Sequence, residues 1–454
     1  MYIRQISFRF IQYHFLEVFA LHRIAKGILA SAMALSLLGG IAAADDSYYL
    51  ELPSKGITTT TRITVDVPGE NEVADGVNPI TGEAWSGSYT PILVTIDSHP
   101  DALPHWGISS ADLIYEMPIQ SDGSTRSIAV FMGDIPSYAG PVRSGRVMMG
   151  QLREMWGGAW VFYGEQNWYN SVNTVVDVSD WALSIHSDAR QKGRWVFPFI
   201  AGHEGNYQSL FHREHDGNHV APHDVQIDMK AVQALFTSEP QMHPFLFTDE
   251  GLDHGTDVSS ITIEYKTTSP AYISTYYYNE VTGLYDRYRN GEPYYDAFNG
   301  MDTSFANVIV LRTDVSWYNG APQRPVIQFY GQGTCEIFQN GKYIRGTWVR
   351  TDSDRNADET KSLPCRMIFL DDNGEELPMK VGKTFIQVVN NDQPVLITAG
   401  SSVSGAVQQA TPVPTATPAP TRTPKPTRTP KAGSATPAPI VEDTTEDEDI
   451  SFGG

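Results

Sequence analysis

Cysteine is almost missing from this 454-residue chain, which holds only Cys335 and Cys365. Two thiols exclude a disulfide-dense scaffold and any zinc centre built from four cysteines. Positive charge is scarce as well: 32 Lys and Arg stand against 53 Asp and Glu, a formal net charge of -21. Residues 1–44 carry four Arg or Lys and one Glu, so the chain beyond them stands near -24. Such an excess keeps a protein soluble and argues against nucleic acid as a partner. Any anionic ligand must then be held by a local group of arginines. A Gly-x-Ser-x-Gly elbow, a phosphate-binding loop and a nucleophilic cysteine in an enzyme-like setting are all missing, and no cofactor is expected.

What is present is a chain with 41% hydrophobic residues, enough for two or three domains with cores. Arg23 and Lys26 precede an apolar run from Gly27 to Leu38, then Ala42–Ala44 and the acidic pair Asp45-Asp46. This order predicts a secretory signal cleaved after Ala44, and so an extracytoplasmic protein. The alternative is an uncleaved anchor, because Gly27–Ala44 just reaches the lower limit of a membrane span; membrane attachment is expected only in that case. Residues 45–78 are polar and read as an exposed lead-in. Residues 401–441 form a Thr/Pro-rich linker whose roughly 30 stiffened residues reach about 90 Å, and 442–454 form an acidic tail.

Between these ends the pattern predicts an α+β protein. Residues 79–254 read as a mixed α/β domain, with strand-like runs at Ile92–Ile96, Ser127–Met132 and Trp160–Tyr163. Helical spacing appears over Val142–Trp156, and over Asp228–Phe236 with Asp228 as cap. Residues 255–400 read as a mainly antiparallel β domain, because Asn290-Gly291 and Asn340-Gly341 each separate two alternating runs, the strongest short hairpin signal. Cys335 and Cys365 fall in this second part. An exported chain could join them, with a contribution of roughly 3–4 kcal/mol, or bury them as separate thiols; the bridge is the expectation.

The candidate chemistry gathers between Pro91 and Arg146. Asp97 and Glu116 end adjacent apolar runs, and with His223 they would suit general acid–base work if brought close. The structural alternative is that Asp97 caps the turn before His99-Pro100 while Glu116 pairs with Arg126. Arg143 and Arg146, three apart at the start of a helix-like run, suit a phosphate or carboxylate ligand together with Arg126; alternatively they pair with Asp97 or Glu116. His212, His215, His219 and His223 have near-helical spacing, but Gly217 and Pro222 break the face that three metal ligands would need. No metal is expected from this set.

Five ordered phrases carry a resemblance: Pro79–Glu83, Ile96–Pro100, Ala111–Glu116, Thr125-Arg126 and Gly140–Arg146. With Ala221–His223, the Tyr-rich stretch near 276–291 and Gly341–Trp348, they resemble the YerB-like family over about residues 79–390. That resemblance implies a two-domain bacterial surface lipoprotein without an established reaction. The chain departs from it in two places. Neither cysteine stands at a lipid-processing site, so lipid attachment is not expected, and Asp224 occupies a position where the family phrase usually has an amide. Three readings follow: a surface module binding an anionic or glycan component of the envelope (a polymer or an envelope protein), an extracytoplasmic enzyme using Asp97, Glu116 and His223, or a structural interaction protein.

Overall fold

Ile92–Asp97, Leu113–Pro118 and Thr125–Phe131 are strands buried at every residue. Strands of this kind need cover on both faces, and the rest of the chain supplies it. The computed structural model describes residues 47–53, 74–165, 168–169, 175–176, 199–202, 207–236, 245–265, 270–317, 325–327, 329, 331–350 and 367–400. The signal or anchor segment, the Thr/Pro linker, the acidic tail and Cys365 lie outside these residues.

The strand pairings build one mixed sheet. Its order is Phe199–Ala201, Ala159–Phe162, Ile92–Asp97, Thr125–Phe131, Leu113–Pro118, Thr384–Asn390, Asn307–Thr313, Gly331–Gln339, Lys342–Arg350 and Met367–Leu370. Thr384–Asn390 runs parallel to both its neighbours, one from each half of the chain. Successive side chains of a strand point to opposite faces. Thus Leu93 joins one core with Met148, Leu152 and Trp156 of the helix Val147–Trp156. Ile92, Val94 and Ile96 join the other, beneath Ile261, Tyr276, Tyr285 and Val232.

That second cover is an antiparallel sheet of Val395–Ala399, Thr256–Glu264, Ile273–Asn279 and Leu284–Arg289, with Ser47–Tyr49 at its edge. Leu284–Arg289 alternates between half-buried and buried residues because one face of this layer meets solvent. Ser47–Tyr49 and the buried Leu50 show that the start of the lead-in belongs to the fold.

The expected α+β arrangement, a mixed α/β domain followed by a β domain, is corrected. The described residues hold only two α-helices, Val147–Trp156 and Met229–Gln233, and are mostly β, with strands of both halves in one sheet. The long helical reading failed at its start because Pro141 to Arg143 bond along the end of a strand: Asp97 N–H donates to Pro141 O at 2.9 Å and Arg143 N–H to Thr95 O at 3.0 Å. Asp228 does cap its helix, accepting from Ala231 N–H. Both Asn-Gly turns form, with positive φ at all four residues. The expected Cys335–Cys365 bridge is not supported, since Cys335 is a buried free thiol. Among the described residues no helix is long and apolar enough to cross a membrane.

Candidate functional site

The site lies where the Ile92–Asp97 strand ends. Directly across the ladder from Asp97 is Arg126. On the other side, the Pro141–Arg143 backbone places Arg143 Nε 3.1 Å from Asp97 Oδ2. Gly140 makes the next approach possible, because a Cβ there would stand 2.6 Å from Val225 O. Val142 N–H donates to that same carbonyl at 2.7 Å. The loop ahead of Val225 is thereby brought over Asp97, and His223 Nδ1 donates to Asp97 Oδ2 at 2.7 Å. The other carboxylate oxygen accepts the His99 N–H at 3.1 Å. His99 lies flat on His223, with ring centroids 4.4 Å apart and planes within 12°.

Burial would raise the Asp97 carboxyl, but the His223 hydrogen bond and the charges of Arg126 and Arg143 outweigh it and hold the pKa below the usual carboxylate range. Asp97 is therefore a fixed anion. Burial and the nearby His223 push His99 down, toward the neutral ring. Because a carboxylate can only accept, Asp97 fixes a proton of His223 on Nδ1, so that in the neutral tautomer the lone pair is on Nε2. Arg143 and His99 side chains are 23% and 43% exposed, so the cluster opens to solvent on the side away from Asp97.

The other candidates have separate fates. Glu116 lies between the two layers, where its carboxylate takes Thr125 Oγ1 at 2.6 Å, Ser274 Oγ at 3.0 Å, Arg287 Nη2 at 2.9 Å and Arg289 Nη1. Burial opposes the charge, but Arg289 and Arg287 win and hold its pKa near 2. The structure thus places it inside the protein, apart from Asp97, with arginines other than the expected Arg126 as partners. Arg126 is buried and donates to Ser144 O at 2.7 Å. Arg146 is the buried residue immediately before the helix, with Nη1 3.2 Å from Gly145 O. Of the three arginines, Arg143 is the one that stands half-exposed at the cluster.

The 211–224 segment is a short strand followed by irregular chain. His212 bonds Gln226, His215 faces the buried Asp224, and His219 bonds Asp216 and Pro104 O. Only His223 of that set reaches Asp97. Asp224 is also paired with Arg213 at 2.6 Å, which gives the unusual carboxylate a structural partner.

Comparison with known proteins adds the family. Residues 80–241 match "Protein of unknown function (DUF3048) N-terminal domain" and residues 261–386 match the corresponding C-terminal domain. The chain belongs to this two-domain family. It is similar to "Putative lipoprotein YerB" of Bacillus subtilis (strain 168), with 22% identity over 331 residues, 72% of this chain and 89% of that one. The crystal structure of the Bacillus subtilis YerB protein has a similar fold, with TM-score 0.55 and 22% identity, covering 70% of this chain and 99% of the other.

In this DUF3048 chain, sequence reasoning missed His99 as a site residue and His105 as its support. His105 is buried, Nε2 donating to Asp97 O at 2.6 Å and Nδ1 meeting the Tyr294 hydroxyl. The signal lay in Asp97-Ser-His-Pro100 itself: an Asp carboxylate tends to bond the backbone two residues on, as Asp97 does with the His99 N–H, and this keeps His99 beside it. Arg287 and Arg289 were missed too, though their i, i+2 spacing beside Tyr285 put them on the buried face of an alternating strand.

Proposed function

We propose that this is an extracytoplasmic surface protein that holds an anionic group of a cell-envelope polymer or envelope protein at the Asp97 cluster. The observation that carries the reading is how Asp97 is consumed: its charge is met by Arg143 and His223, so the rim it supports presents donors. Arg143 offers a guanidinium, its side chain being 23% exposed. Contacts of that type to phosphate or carboxylate are stronger than neutral ones. The family and its lipoprotein relative support the extracytoplasmic setting.

The test is binding of a polyphosphate or wall polymer as salt is varied. Affinity should fall as salt rises, and Arg143→Ala should weaken it about 5- to 150-fold, the equivalent of roughly 1–3 kcal/mol. Arg143→Lys should rescue in part. Unchanged binding by a folded Arg143→Ala protein refutes the reading.

The 2.7 Å Asp97–His223 contact favours a second reading, acid–base catalysis on envelope material with His223 Nε2 as the base. Glu116 takes no part in it, being sealed by two arginines. Loss of turnover with retained binding in Asp97→Asn would distinguish it.

A further inference from the structure

His99, Asp101 and His223 form a group whose donor atoms all lie within 4.8 Å of one another. We propose that these three side chains bind a divalent transition-metal ion of the zinc type, with Asp97 orienting His223 from behind. The proposal deepens the anion reading of the same site and rests on it in one respect: the ion would be the centre on which the anion is held. Two imidazoles and one carboxylate are a donor set that suits zinc and leaves a fourth position open.

A second observation points the same way. Metal-bound histidines almost always give their other ring N–H to a carboxylate or carbonyl, which fixes the tautomer and raises ligand basicity. His223 already does this, Nδ1 to Asp97 Oδ2 at 2.7 Å, so its Nε2 carries the lone pair. Asp97 is in turn held by the His99 amide and Arg143, and His105 anchors its backbone.

Bonds of 2.0–2.1 Å to a tetrahedral ion put neighbouring donors about 3.3 Å apart, so the group must close by roughly 1–2 Å. The residues that would move can do so. His99 and Asp101 side chains are 43% and 64% exposed, at the start of the short turn Pro100–Ala102. His99 Nδ1 now accepts the Asp101 N–H at 3.2 Å, so swinging the ring off His223 costs one exposed hydrogen bond and one stacking contact. The charges also balance. Asp97 and Asp101 against Arg126, Arg143 and a divalent ion leave two positive charges, which an anion on the open position would meet. This set differs from the histidines of regular spacing, of which His212, His215 and His219 are engaged elsewhere.

The experiment titrates the full chain, stripped with chelator, with zinc chloride alone, and repeats it with cobalt to read the visible spectrum of a tetrahedral nitrogen–oxygen site. One equivalent is expected. His99→Ala should lower affinity at least 10-fold, and Asp97→Asn about 10- to 100-fold, the usual loss for an outer partner. His215→Ala should bind as the parent does. His99 is half-exposed, so its variant should fold even if changes at Asp97 do not. No stoichiometric zinc, or zinc retained unchanged in His99→Ala, overturns the proposal. No zinc uptake, together with polyphosphate binding that persists in chelator and still needs Arg143, overturns the metal and keeps the anion reading. Zinc bound at one equivalent without any polyphosphate binding does the reverse.

Discussion

Asp97 and His223 meet at 2.7 Å across 126 residues of sequence. The contact depends on backbone placed by Gly140 and Val142, so the side chains report whether the Val225 loop is docked. Asp97→Asn keeps the size and the acceptor for the His99 amide but removes the charge opposite Arg143. It should cost roughly 1–3 kcal/mol in urea unfolding, the range for a hydrogen bond to a charged group. The Asp97 pKa is held down, so its contribution is present above the ordinary carboxylate value and is lost as pH falls. A variant as stable as the parent at pH 7 would show that the contact holds nothing together.

Glu116 should be a highly sensitive carboxylate. It is buried with Arg287 and Arg289, and removing one partner of such a group typically costs about 3–5 kcal/mol because the others keep an uncompensated charge. Glu116→Ala is expected to unfold at much lower urea. The sign with pH follows from the depressed value: its stabilisation is complete above the ordinary 4.5 and is lost as pH falls from there through about 2. Glu116→Gln should flatten the stability profile across that window.

His105 acts at milder pH. Burial, with Arg287 adding, drives its pKa down to about 3 from 6.5. Between those values the unfolded chain binds a proton that the folded one does not, so stability rises with pH across the window. The slope approaches about 1.4 kcal/mol per unit. His105→Gln should remove that slope while lowering stability at neutral pH; an unchanged slope between pH 4 and 6 would assign the sensitivity elsewhere.

These three residues mark what the sequence discloses. Local signals were legible: both Asn-Gly hairpins, the Met148–Trp156 face and the Asp228 cap rest on contacts within a few residues. The Asp97 turn and its pairing with Arg143 were legible as alternatives, since both segments lie within one stretch. The partners of Glu116 were not, because Arg287 and Arg289 lie 171 and 173 residues away. The fold class failed for a related reason. Runs such as Ile92–Asp97 look the same whether helices or a second sheet cover them, and nothing local says that Thr384–Asn390 runs beside Leu113–Pro118.

Cys335 should behave as an inert thiol. Burial pushes its pKa well above the usual range, and the thiolate is the reactive form. A thiol reagent should label it only under unfolding conditions, and a reducing agent should leave the thermal midpoint unchanged. A midpoint that drops in reductant would restore the bridge to Cys365.

The two Asn-Gly turns look alike in sequence yet should respond differently to substitution. Gly291 and Gly341 both have positive φ, at 86° and 67°, where an L side chain is strained. Around Gly291 an added Cβ meets nothing within 4 Å, so Gly291→Ala should cost only the backbone term, about 1–2 kcal/mol. At Gly341 the same Cβ would stand 2.6 Å from Tyr278 Cδ1. Tyr278 packs on Tyr285 with centroids 5.2 Å apart, and the Tyr285 hydroxyl accepts the Gly341 N–H at 3.0 Å. Moving Tyr278 therefore disturbs a buried neighbour as well. Gly341→Ala should lose the backbone term plus a packing cost of about 1–3 kcal/mol. Side-by-side urea unfolding of the two variants reads the difference, and equal losses would mean that Tyr278 yields freely and that the turn alone sets the glycine requirement.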